Sequence, residues 1–197
     1  LTVVHIDLPD RVRALWRHDW DMYWYYVLWQ RLLTKKAMDL HSAIRFDVLH
    51  HVTFANDWLP CGLASVPGVP LVWGPVGGAS HIPYWKLKRW LGARGLATEI
   101  ARDLMTSFPR RIWGDRTAQR AALVIAQNPD VAARFERFAP TTVQPNASLD
   151  PVTSDISSPP GQREVDNSKQ KLAVFAGRLM GLKGVRLALD TIAHPLC

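Results

Sequence analysis

The chain has 197 residues, 48% of them hydrophobic and 21% charged, an ordinary balance for a globular protein and enough for one large domain or one and a fraction. No apolar run approaches the roughly 20 residues of a membrane-spanning helix, and the opening LTVVHI lacks a signal peptide's basic start and cleavage site. The formal net charge is +7, and the two cysteines, Cys61 and Cys197, offer neither a disulfide framework nor metal-ligand spacing, which favours a reducing cytoplasm.

Thr2 to Ile6 reads as a short strand and Asp7–Leu8–Pro9–Asp10 as a turn. From Arg11 to about Ser42 the pattern is helical. Trp16, Trp20, Trp24, Leu28 and Leu32 recur every four residues, with Tyr23, Val27 and Leu33 widening the stripe. Such a stripe suits an apolar face packed on a core or membrane, the favoured reading, or a platform on which sugars or bases stack. Phe46 to Thr53 has an apolar centre and a β-branched end, so it reads as a strand. It carries His50 and His51 side by side. Adjacent side chains of an ideal strand point to opposite faces, so a bulge or the strand end is needed to turn both toward one cleft.

Pro67–Gly68–Val69–Pro70 is a turn, and Leu71–Val72–Trp73 a short buried strand that runs into Gly74–Pro75–Val76–Gly77–Gly78. Glycine has no Cβ and tolerates positive φ, so backbone here can approach a ligand closely. Gly74, Gly77 and Gly78 are therefore candidates for a cleft loop. The spacing matches neither the dinucleotide fingerprint nor a Walker A loop.

Residues 84–120 carry nine Lys and Arg against three Asp and Glu, nearly the whole charge excess of the chain. A local excess points to a local anionic partner. Tyr84 to Leu96 mixes Trp85 and Trp90 with Lys86, Lys88, Arg89 and Arg94. A basic helix with Trp suits an anionic membrane surface or single-stranded nucleic acid; a solvated helix is the plain alternative. Glu99 to Arg120 reads as further helix interrupted at Pro109. Ala121 to Ala126 is a buried strand, Gln127–Asn128–Pro129–Asp130 a helix start, Val131 to Phe138 the helix, and Val143 to Asn146 a short strand. Pro151 to Gln170 is polar and should be a flexible linker.

Leu172 to Ala176 is an apolar run that suits a buried strand. Val185, Leu187, Ala188, Leu189 and Ile192 then fall on one face of a helix. Between them, Arg178 and Lys183 sit at the strand's C-terminal edge, where open α/β sheets bind ligands, and Gly184 opens the helix. Two cations beside a helix N-terminus suit a diphosphate. The alternation of strands and helices predicts an α/β protein with a Rossmann-like parallel sheet and flanking helices. The expected organisation is 1–150 as a first domain, 151–170 as linker and 171–197 as the start of a second. One strand and one helix cannot bury a core, so the chain is expected to be part of a longer parent.

Three motifs in order, HHVTF at 50–54, PLVWGPVGG at 70–78 and GRLMGLKG at 177–184, resemble the retaining GT-B glycosyltransferases of GT4 type (glycosyltransferase group 1, bacterial-type). The resemblance covers nearly the whole chain. It implies a GT-B fold with an acceptor-side N-terminal domain and an incomplete donor-binding domain. The implied reaction transfers a sugar from a nucleotide diphosphate sugar to a hydroxyl acceptor, lipid-linked or saccharide, with retention and without a metal or further cofactor. Arg178 and Lys183, with Gly184, would hold the diphosphate. Gly74, Gly77 and Gly78 would line the cleft, and His50 or His51 would reach the transferred sugar.

The chain departs from the family in three places. In the D-V-x-H-x-H strand Asp47, Val48 and His50 match, but Val52 stands at the last His. Ala147–Ser148 replace the glycine of the v-x-P-N-G turn. The E-x7-E element that contacts the donor is absent, so the isolated chain is expected to be inactive even where its parent is an enzyme. The implied location is the cytoplasm, at the inner face of the membrane if 84–120 touches anionic lipid. Nucleic acid is the less favoured partner, because it leaves GPVGG and GR–x4–KG unexplained. The competing readings are a non-catalytic GT-B remnant and a basic protein that binds nucleic acid or a membrane surface.

Overall fold

The computed structural model describes residues 2–52, 54–78, 83–145 and 185–193. Two helices come first, α1 (Asp10–Arg13) and α2 (Asp21–Ile44). Four strands follow, β1 (Leu49–His51), β2 (Leu71–Val76), β3 (Leu123–Ala126) and β4 (Thr141–Val143), in one sheet of order β1-β2-β3-β4 with every pair parallel. Parallel neighbours cannot be joined by a tight turn, so each connection carries helix. A 3-10 turn (Gly62–Ser65) lies between β1 and β2. Between β2 and β3 come α3 (Tyr84–Pro109), a π turn (Arg110–Gly114) and α4 (Asp115–Arg120), and α5 (Pro129–Phe135) joins β3 to β4. The last described element is α6 (Val185–Ile192), on the residues whose spacing predicted it. This is an α/β fold with a parallel sheet flanked by helices, compatible with a Rossmann-like architecture.

Chain contacts divide the protein into two compact units. One comprises Leu1–Ser80 and Met105–Asn146, the other His81–Leu104 and Ala147–Cys197. The core of the first is built on β2 and β3, whose Leu71, Trp73, Val76, Val124 and Ala126 are buried. Strands covered on both faces read as continuous apolar runs, and these do. Phe135 of α5 meets Trp73 edge-on with ring centroids 5.2 Å apart, and both side chains are essentially inaccessible. Aromatic pairs of this kind add about 0.5–1.5 kcal/mol beyond their burial. Asn128 starts α5 by accepting the Val131 N–H at 3.0 Å, with Pro129 at the first helical position.

Several predicted boundaries move, each for a local reason. Thr2 to Ile6 forms no strand; the Ile6 carbonyl instead accepts the Trp29 indole N–H at 2.9 Å. The long first helix is split, because the Asp21 carboxylate accepts the backbone N–H groups of Arg17 and His18 and closes a turn ahead of α2. Those bonds, with that from Trp24 Nε1, hold the Asp21 carboxyl down at about 2. Trp16 and Trp20 therefore lie outside α2 and are exposed, while Tyr26, Gln30 and Ala37 are its buried residues. The buried stripe is thus not the predicted one.

Strand β2 continues past Trp73 through Gly74–Pro75–Val76, and its register with β3 shifts between Trp73 and Val76. A proline has no N–H to give the ladder and is tolerated in a central strand only at such an irregularity. The long helix kinks at Gly92, where φ is 68°, and Pro109 is the last residue of α3. The linker 151–170, the strand 172–176 and the residues Arg178, Lys183 and Gly184 lie outside the described residues.

Candidate functional site

β1 ends at His51, and the C-terminal end of the strand opens onto a cavity of about 530 Å³. Aromatic side chains dominate its walls: Trp16, Tyr25, Tyr26 and Trp29 from α2 and the segment before it, and Phe54 from the loop after β1. Tyr26 packs against both Trp29 and Phe54, with ring centroids 6.0 and 5.5 Å apart. His50, His51 and Asp7 supply polar groups to an otherwise apolar lining. Ligand sites combine these ingredients, a mostly apolar concave wall with a few convergent polar groups.

Both histidines border this cavity, although burial alternates along β1 as strand geometry requires, with His50 exposed and His51 buried. His51 is buried, and its Nε2 shares a hydrogen bond with the Tyr26 hydroxyl at 3.2 Å. Burial, with a smaller push from His50, lowers its imidazole to about 4, so it is neutral at pH 7. Burial likewise raises the Tyr26 phenol, with a smaller contribution from Cys61. The Tyr26–His51 pair is therefore an uncharged donor and acceptor. His50 lies on the exposed side of β1, 3.0 Å from the Gly74 carbonyl through its Nε2. A carbonyl only accepts, so that nitrogen carries the proton. When the ring is neutral, Nδ1 is left as an acceptor.

Asp7, which the sequence placed in a plain turn, belongs to the same cavity. Its carboxylate accepts the Tyr25 hydroxyl and the Leu8 N–H, and Arg13 lies 3.4 Å away. The Tyr25 bond is the main reason that its pKa falls below the usual carboxylate value. Nothing in the local sequence marks Asp7, since its side-chain partners, Arg13 and Tyr25, come from α1 and α2.

The three glycines of the expected cleft loop prove to be close-packed. At Gly74, φ is 139° and a Cβ would run into the Ile125 carbonyl of β3. Gly77 extends β2, donating to the Ala55 carbonyl at 3.0 Å and accepting from the Asp57 N–H at 3.1 Å. At Gly78, φ is 99° and a Cβ would meet the side chains of Asn56 and Asp57. The crowding and the positive φ account for glycine at 74 and 78, while at Gly77 a Cβ would meet the side chain of Gln127.

Asp57 anchors a buried charge cluster that the sequence did not reveal. It is fully inaccessible, 2.9 Å from Arg110 Nε and 3.5 Å from Arg134 Nη1, and Arg134 reaches on to Asp115 at 2.8 Å. Burial pushes the Asp57 carboxyl up while the two guanidiniums pull it back. Gly114 is confined beneath it, because a Cβ there would fall on the Asp57 carbonyl. Cys61 is also buried, its thiol pushed up to about 11 by desolvation.

Among the described residues no three His, Cys, Asp or Glu side chains converge as a metal site. No described helix is long and apolar enough to cross a membrane. No protein-family model matches the chain, and no curated protein or solved structure does either.

Proposed function

We propose that this chain is the acceptor-side part of a glycosyltransferase that moves a sugar from a nucleotide diphosphate sugar to a hydroxyl acceptor. The bond from the sugar's anomeric carbon to the diphosphate oxygen breaks and one to the acceptor oxygen forms. The acceptor's proton leaves with the nucleoside diphosphate. One observation carries the reading: two histidines at the C-terminal end of a parallel strand border an aromatic-walled cavity. Aromatic faces suit the apolar face of a sugar ring, while Asp7, His50 and the Tyr26–His51 pair suit its hydroxyls. In this reading Arg178 and Lys183 stabilise the charge that develops on the departing diphosphate, and retention follows from the family resemblance.

Basic residues around Trp85 favour one addition. Trp85 is 82% exposed at the start of α3, beside Lys86, Lys88 and Arg89. Such a face suits transient contact with an anionic membrane.

The test has two arms. In saturation-transfer NMR on this chain, hexoses or short oligosaccharides should receive magnetisation, and Trp29→Leu should abolish it. In the product of the complete reading frame, assayed against a panel of nucleotide diphosphate hexoses, Arg178→Ala or Lys183→Ala should lower kcat strongly. Absence of saccharide contact together with near-wild-type turnover of these variants would sink the proposal. For the membrane contact, co-sedimentation with anionic vesicles that weakens as salt is raised and in Trp85→Ala is expected, and absence of salt-sensitive binding would refute it.

A further inference from the structure

Helix α2 borders a second cavity, and the two have no lining residue in common. Its volume is about 330 Å³, and it lies among α2, the 3-10 turn Gly62–Ser65, the π turn and α4. Arg31 enters from α2, and Arg116 and Arg120 from successive turns of α4. Ser65 and Trp113 stand between them, and Gln30 closes the inner wall. No Asp or Glu lines this cavity.

The three arginines are exposed to solvent and line one concavity. No ion pair among the described residues involves Arg31, Arg116 or Arg120, and Arg120 alone is tethered, donating to the Ala64 carbonyl at 3.1 Å. Like charges gathered around one concavity repel one another, so an uncompensated cluster costs stability unless something anionic offsets it. Other arginines of the same unit are paired: Arg110 and Arg134 with Asp57, and Arg134 also with Asp115. The inner wall is well anchored. Gln30 is 2% exposed, and its Oε1 accepts the Gly62 N–H at 2.5 Å.

We infer that this cavity binds a small phosphate-bearing ligand. Guanidinium groups present paired N–H donors in a planar fork that fits the oxygens of phosphate, and several converging on one site give geometry as well as charge. The volume is at the lower end for ligand pockets, so the ligand is of the size of a sugar phosphate rather than a dinucleotide. Thr117, Ser65 and the Trp113 indole offer neutral polar contacts beside the charges. The same oxyanion chemistry is presented by a phospholipid headgroup, and the experiment separates the two sources.

The test follows the Trp113 indole N–H by NMR in the 197-residue chain, titrated with glucose 6-phosphate, with glucose and sodium chloride as controls. Expected is a saturable shift with glucose 6-phosphate and none with glucose. Arg31→Gln and Arg116→Gln should each weaken binding at least tenfold, and Lys36→Gln, elsewhere on α2, should leave it unchanged. Absence of a saturable shift, or Lys36→Gln weakening binding as much as the arginine variants, would overturn the inference. Binding of Arg31-dependent type to phosphatidylglycerol vesicles without any response to glucose 6-phosphate would also overturn it, assigning the patch to a membrane surface.

Discussion

His51 should make this protein sensitive to mild acid. Its imidazole is about 4 in the fold against an ordinary 6.5, because burial disfavours the charged ring. The unfolded chain binds a proton near pH 6.5, whereas the folded chain binds it only near 4. Between those values the unfolded state holds more protons, so stability falls as the pH drops through that window and is whole above it. At about 1.4 kcal/mol per pKa unit the full effect is roughly 3 kcal/mol, most of it lost between pH 7.5 and pH 4.5.

Other carboxylates titrate over the same range, so the informative quantity is a difference between variants. A Gln amide reaches the position of Nε2, can still bond the Tyr26 hydroxyl and does not titrate, which makes His51→Gln the comparison. Urea unfolding at both pH values should show the wild type losing roughly 2–3 kcal/mol more than the variant. That corresponds to roughly 1 M in midpoint for a slope of about 2 kcal/mol/M. Equal acid shifts in the two proteins, or an NMR titration of the His51 ring with a midpoint near 6.5, would refute the reasoning.

Two further outcomes concern elements that frame the site. Asp57→Asn neutralises a buried carboxylate that lies 2.9 Å from Arg110 and 3.5 Å from Arg134, and breaking these buried pairs should cost about 3 kcal/mol, on the order of 10 °C in Tm; an unchanged Tm would mean that the Asp57 charge does not stabilise the fold. Asn128→Ala should cost about 1 kcal/mol through loss of the α5 cap, with Asn128→Asp recovering most of it; urea midpoints that do not separate the two variants would exclude the capping role.

Local signals were enough where the physics is local. Asn128–Pro129 announces α5 because the cap bond spans only three residues, and the apolar run 123–126 announces a strand of the sheet interior, flanked on its edges by β2 and β4. The parallel α/β class follows from the alternation of such segments. By contrast, the aromatic stripe from Trp16 to Leu32 looked like one helix face. The true start of α2 depends on where the Asp21 carboxylate bends back, and that single side chain decides which aromatics reach the core.

What only the tertiary structure decided are the contacts made at long sequence distance. Asp57 is an unremarkable residue of a loop until Arg110 and Arg134 are folded around it. The glycines of GPVGG read as a ligand loop from sequence, and only the fold shows Ile125 packed against Gly74 and Asn56 and Asp57 against Gly78. His50 and His51 border one cavity because aromatic rings of α2 and Phe54 wall it at the end of β1. Sequence patterns report the period of a segment and its end signals, since these arise from neighbours a few residues apart. Which face is buried, which charge is paired and which glycine is crowded depend on the chain that packs against it, and that is decided only when the sheet and its crossovers close.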